Sequence, residues 1–224
     1  MFVDPDGKDW FYYKSDADEN PNWHWQEGST YHTGVINNDG KEVILRGYAS
    51  VVVFNGSINE KLGEGDNLFG SGAVLADVTV YGPNGVDDIG YYKGFTMSSD
   101  SEKYGVVANG FYSVNRIANK ESYGPYNTPF AVNNKGEVPA LGNYNPAYPN
   151  RKPAYLDYVY IHRSNSNGWA GWKYVGEKEV AVSKGCLLVT PSRYNQDGTI
   201  KTIGWDQFCI QLKNVNYFLL QIKR

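Results

Sequence analysis

The sequence predicts a mainly β fold with one or two short helices and an N-terminal β extension. Three observations point there. The chain holds 19 Tyr, 6 Trp, 9 Phe and 25 Gly, a mixture that favours strands and turns over helices. Short apolar runs alternate with turn sequences such as Asn37-Asn38-Asp39-Gly40 and Gly82-Pro83-Asn84-Gly85. One stretch alone, Ile203 to Leu212, has the i, i+3, i+4, i+7 spacing of a helix, with Trp205, Phe208, Cys209 and Leu212 on one face.

In chain order, Asp4-Pro5-Asp6-Gly7 is a turn, because proline presets one dihedral and glycine supplies the other. Residues 10 to 40 mix aromatics with turn clusters and read as short strands and loops. His24 and His32 fall here, and with no Cys or third His beside them they read as partly exposed, non-functional histidines. Lys41 to Asn55 reads as a strand with a bulge or bend at Gly47. Residues 56 to 71 read as a loop, with a short helical turn expected near Ile58 to Leu62. Ala73 to Tyr81 and Asp88 to Met97 form a hairpin around the Gly82–Gly85 turn. Ser98 to Asn109 is loop-like, and Gly110 to Val114 begins another strand. Residues 119 to 154 are rich in Asn, Pro, Gly and Tyr without periodicity, which reads either as an ordered functional loop, lid or binding surface or as a tolerated surface insertion. Thr190 to Thr202 reads as a polar connection. Asn216 to Ile222 is an apolar closing strand for the sheet centre.

Composition narrows the function. A formal net charge of −3 and a pI near 5.6 argue against a nucleic-acid partner. No apolar run approaches the roughly 20 residues of a membrane helix, and Met1-Phe2-Val3 leads into charged turn residues rather than a signal peptide. The two cysteines, Cys186 and Cys209, are too few for a disulfide framework, although one bridge between them would close a long loop and abolish thiol chemistry. Cys209, on the apolar face of the expected helix, reads as a buried structural thiol.

The stretch Tyr158 to Val189, YVYIHRSNSNGWAGWKYVGEKEVAVSKGCLLV, carries the chemistry. An alternating strand delivers His162 at its end, and Ser183-Lys184-Gly185-Cys186 enters a second strand. If the two strands are neighbours, an imidazole can deprotonate the thiol, which is the requirement for cysteine nucleophilic catalysis. Ser183, Gly185, Cys186 and Leu187, with His162 upstream, resemble the active-site motif of L,D-transpeptidase-like (YkuD-type) domains: a histidine, a spacer, then [S/T]-H-G-C and a hydrophobic residue. Gly110-Phe111-Tyr112-Ser113-Val114 is similar to the G-x-Y-x-V strand of that family. The chain departs from the pattern at Lys184, in the place of the second histidine, at Leu188, in the place of Asn or Arg, and in the long spacer of residues 163 to 182.

The resemblance implies an L,D-transpeptidase-like β-sandwich or barrel over residues 91–224, after an N-terminal β region at 11–90. It implies a peptidoglycan-targeting cysteine enzyme, an L,D-carboxypeptidase or L,D-transpeptidase acting on stem peptides, without cofactor or metal. Cys186 would be the nucleophile and His162 the base, with backbone N–H groups of Gly185 and Cys186 binding the oxyanion. Ser164, Asn165 or a local backbone carbonyl would orient the imidazole. Arg163 and Lys184 would contact substrate, Arg163 through a bidentate fork on a carboxylate. Residues 1–10, with Asp4-Pro5-Asp6-Gly7, resemble the DPxG-type junction that ends the core shell of Rhs-repeat proteins. That implies an antibacterial toxin carried by a parent polypeptide, acting in the periplasm or cell wall of a target bacterium and countered by an immunity protein. The reading from another class is a non-catalytic cell-wall or glycan-binding β domain using the aromatic loop at 119–154.

Overall fold

The computed structural model describes residues 7–56, 75–96, 106–117, 130–141, 155–163, 172–175, 178–181, 186–190 and 192–224. The chain is mainly β, with a closed eight-stranded barrel and, among the described residues, one short α-helix. Two hairpins come first: β1 (Lys8–Tyr13) with β2 (Asn22–Glu27), and β3 (Thr30–Ile36) with β4 (Glu42–Arg46). The expected strand at 41–55 is broken in two at Gly47. A Cβ there would lie 2.4 Å from Asp9 Cβ and 2.7 Å from the Phe11 ring, so the chain bends over β1, and only β5 (Val51–Gly56) enters the barrel.

The expected hairpin follows as β6 (Leu75–Tyr81) and β7 (Ile89–Phe95). Then come β8 (Val106–Val107), β9 (Gly110–Arg116), β10 (Phe130–Val132), β11 (Val138–Leu141), β12 (Tyr155–Leu156) and β13 (Tyr160–Arg163). A small hairpin of β14 (Trp172–Val175) and β15 (Lys178–Ala181) precedes β16 (Leu187–Val189). The segment read as a polar connection holds a further hairpin, β17 (Arg193–Tyr194) and β18 (Ile200–Thr202). The helix α1 (Trp205–Gln211) and the strand β19 (Tyr217–Lys223) close the chain, both where the sequence places them. Residues 130–141, expected to be loop, instead supply the barrel strand β10 and a strand pairing with β8 and β12. Phe130, Ala131 and Val132 are a three-residue buried run, too short to show a period. The expected helical turn at 58–62 lies outside the described residues.

Around the barrel the order is β10-β13-β16-β7-β6-β5-β19-β9, with parallel pairing at β13–β16 and β19–β5. The barrel therefore takes strands from both sides of the 90/91 boundary expected from the sequence. Eight strands leave an interior that side chains can fill. Val52, Phe54, Val80, Val114, Ile161, Leu187, Val189 and Leu220 do so, each completely buried. The helix plugs one opening: Trp205 and Phe208 stack at 5.5 Å, and Phe130 meets both rings edge-on. Ser192 Oγ accepts from the Asp206 N–H at 3.0 Å, which satisfies one donor at the start of α1. Arg116 donates to the carbonyls of Val215 and Leu212 beyond its end while lying 4.8 Å from the Phe130 ring centre. On the outer face Trp10 and Trp23 cover Val51, Val53 and Leu219 as a second core. Among the described residues no helix is long and apolar enough to cross a membrane.

Gly94 sits where β7 meets β16, and a Cβ there would stand 2.3 Å from the Leu188 carbonyl oxygen and 2.8 Å from Val78. Both neighbours are packed and cannot retreat. Gly94→Ala is expected to lower stability by about 1–3 kcal/mol, the range for overpacking a core, read as a lower denaturant midpoint with unchanged m-value.

Candidate active site

Of the residues singled out by sequence, His162, Arg163 and Cys186 are described; Ser164, Asn165, Ser183, Lys184 and Gly185 lie outside the described residues. The strand carrying His162 and the strand that Cys186 enters are direct neighbours. β13 and β16 pair in parallel with Ile161 opposite Leu187, His162 opposite Leu188 and Arg163 opposite Val189. One step back, the same register sets Cys186 opposite Tyr160.

Pleating decides which side chains share a face. Ile161 and Leu187 point into the barrel and are fully buried. With a two-residue period, Tyr160 and His162 on one strand, and Cys186 on the other, take the outer face. His162 is then the diagonal neighbour of Cys186, a separation of about 7–8 Å between backbones that long and aromatic side chains span. Arg163 alternates to the face of Ile161, so the pleat does not bring it beside His162.

His162 is half-buried, and its Nδ1 lies 2.8 Å from the carbonyl oxygen of Arg163. A carbonyl can only accept, so Nδ1 carries the hydrogen and Nε2 holds the free lone pair. Of the three orienting partners open from the sequence, a backbone carbonyl is the one the geometry supplies. Burial holds the imidazole below its ordinary pKa of 6.5, partly opposed by that hydrogen bond. The ring is therefore neutral near pH 7 and able to accept a proton.

Neither cysteine is in a disulfide, so the bridge between them is not formed. Cys209 is buried in α1, where desolvation pushes its thiol up to about 12. Cys186 is half-exposed, with its sulfur 3.9 Å from the Tyr158 carbonyl oxygen. That carbonyl is set by an uncommon backbone: Tyr158 has φ +55°, left-handed for a residue with a Cβ, a conformation costing about 1–2 kcal/mol. It faces a second left-handed run at Asn133, Asn134 and Lys135, φ +46°, +50° and +70°. The Tyr158 N–H donates to the Lys135 carbonyl at 3.4 Å and the Val132 N–H to the Val159 carbonyl at 2.9 Å.

Two tyrosines thus belong to the neighbourhood that sequence reasoning left out. Tyr160 has its phenol held above the usual range by burial, then by the charge of Cys186 and by Tyr158. The signal was present: Tyr158, Tyr160 and His162 are spaced by two. His24 and His32 each face one carboxylate, Asp18 and Glu42, at 2.9 Å on separate hairpins. No group of three or more metal-ligating side chains occurs among the described residues. Comparison with protein-family models, curated proteins and solved structures finds no match.

Two measurements test this geometry. In native protein one thiol, Cys186, reacts with iodoacetamide, and Cys209 joins only in denaturant; equal labelling of both would contradict the burial difference. Because the folded His162 binds its proton less well than the unfolded chain, the unfolded state carries more protons between the depressed folded pKa and 6.5. Stability is expected to rise with pH across that window, and urea titrations of His162→Gln should lose this share of the slope.

Proposed function

We propose that the protein is a peptidoglycan-targeting cysteine enzyme of the L,D-carboxypeptidase or L,D-transpeptidase type. The observation that carries this reading is the parallel pairing of β13 with β16, in which the strand of His162 neighbours the strand that Cys186 enters and the pleat turns both side chains to the outer face. It is supported by a neutral imidazole whose tautomer leaves Nε2 available and by a second thiol that burial keeps inert.

In the proposed cycle Nε2 of His162 takes the Cys186 proton, and the sulfur adds to a carbonyl carbon of the stem peptide. The C–N bond breaks, the amine leaves with the proton returned by the imidazolium, and a thioester remains on Cys186. Water, activated by the same imidazole, hydrolyses the thioester, or an amine replaces water and forms a new peptide bond. Gly185 and Cys186 N–H groups are assigned the oxyanion, and Ser183 keeps its catalytic place in the family motif. Ser164, Asn165 and Lys184 are assigned to the substrate, and Arg163, on the face opposite His162, to a substrate carboxylate at the strand end. The wider setting follows the same reading: delivery by an Rhs-type parent polypeptide, action in the target's cell wall, and restraint by an immunity protein.

Incubated with purified tetrapeptide muropeptides, the wild-type chain should release the terminal residue or exchange it. Cys186→Ala should abolish turnover, and His162→Gln should lower it by about 10²–10⁴-fold, the usual worth of a positioned base. Full activity in Cys186→Ala would remove the nucleophile assignment, and no turnover of any stem by the wild type would favour a glycan-binding domain.

A further inference from the structure

Away from Cys186, the outer face of the barrel carries three rows of side chains across β7, β6, β5 and β19. Backbone register aligns Ile89, Tyr81, Val51 and Leu219 in the first row. Tyr91, Thr79, Val53 and Gln221 follow, then Lys93, Asp77, Asn55 and Lys223. The N-terminal hairpin covers the first row with Trp10 and Trp23. Its edge falls on the second row, where Trp23 Nε1 donates to Gln221 Oε1 at 2.9 Å and Tyr91 at the far end stays 72% exposed. The third row is uncovered. A cavity of about 400 Å³ opens over this step, bounded by Tyr81, Tyr91, Thr79 and the charged row, with Ile203 at its rim.

We infer that this step is a binding site for an acidic saccharide of one or two rings. The cavity volume lies within the range of small-molecule sites. Tyr91 offers an open aromatic face beside Tyr81, whose own ring is held edge-on against Trp10 at 4.9 Å. The third row alternates cation, carboxylate, amide and cation at the strand spacing of about 4.8 Å, a ladder of donors and acceptors suited to ring hydroxyls. An apolar ligand would desolvate that ladder without replacing its hydrogen bonds. Asp77 neutralises Lys93 through a direct ion pair. No salt bridge among the described residues engages Lys223, so the row has one net positive charge for a ligand carboxylate. The cavity shares no lining residue with the Cys186 neighbourhood, so the two sites can fail separately.

Isothermal titration of the full-length chain with tetragalacturonate, an acidic oligosaccharide, and chitotetraose, a neutral one, tests the inference. Saturable binding of the acidic probe is expected, weakened about tenfold or more by Tyr91→Ala and by Lys223→Ala, and unchanged in Cys186→Ala. Both altered positions are exposed, and unchanged melting temperatures would verify that the variants remain folded. Absence of saturable binding to either probe, or equal affinity in wild type and Tyr91→Ala, overturns the site. Equal affinity for the neutral probe overturns the assignment of an acidic ligand.

Discussion

Barrel closure depends on one parallel strand pair. Without it, seven strand pairings, six antiparallel and the parallel β19–β5 contact, still join all eight strands into a curved sheet, but β13 and β16 must run side by side for the ring to shut. A parallel pair cannot be joined by a tight turn, so a long crossover separates the two strands in sequence, and the hairpin β14–β15 occupies part of it. This connection is what allows a histidine and a cysteine far apart in the chain to become neighbours. The fold's need for closure and the proposed chemistry's need for proximity are met by the same hydrogen bonds.

The surroundings keep that pair in place. Gly94 lets β7 approach the Leu188 carbonyl, where any side chain would hold the backbones apart. From the other side, β10 supplies Phe130 opposite Ile161, and the Phe130 ring is locked among Trp205, Phe208 and Phe218. The left-handed backbone at Tyr158 holds its carbonyl near the Cys186 sulfur and is tied to the left-handed run Asn133–Lys135 through the Lys135 carbonyl. Such strained residues persist only where surrounding contacts over-determine them. Here the aromatic core under β10 and the bonds between the two segments supply that restraint.

Legibility in the sequence followed the length of each periodic signal. The β6–β7 hairpin, α1 and β19 were readable because a tight turn between strand-like runs, helical spacing or an unbroken apolar run marks each, over elements of seven residues. Gly47 was legible as a bend, although not as the place where the chain leaves the barrel, since that depends on Asp9 and Phe11 brought from elsewhere. β10 was hidden because three buried residues have no period and sit among turn-forming Asn, Pro and Gly. At the candidate site, His162 and Cys186 were legible as residue types at strand ends. The Arg163 carbonyl that fixes the imidazole tautomer was not, since backbone acceptors leave no mark in composition. Tyr160 needed the parallel register, a long-range fact, to be seen beside Cys186.

The central claim is that Cys186 forms a thioester with a stem peptide. It is tested most directly by intact-mass analysis after rapid quenching of the chain with a tetrapeptide muropeptide. The account predicts a covalent adduct, with the mass of the substrate less the free amino acid released, on the peptide containing Cys186. A wild-type chain that turns over substrate without such an adduct, or an adduct of the same mass on Cys186→Ala, would contradict it.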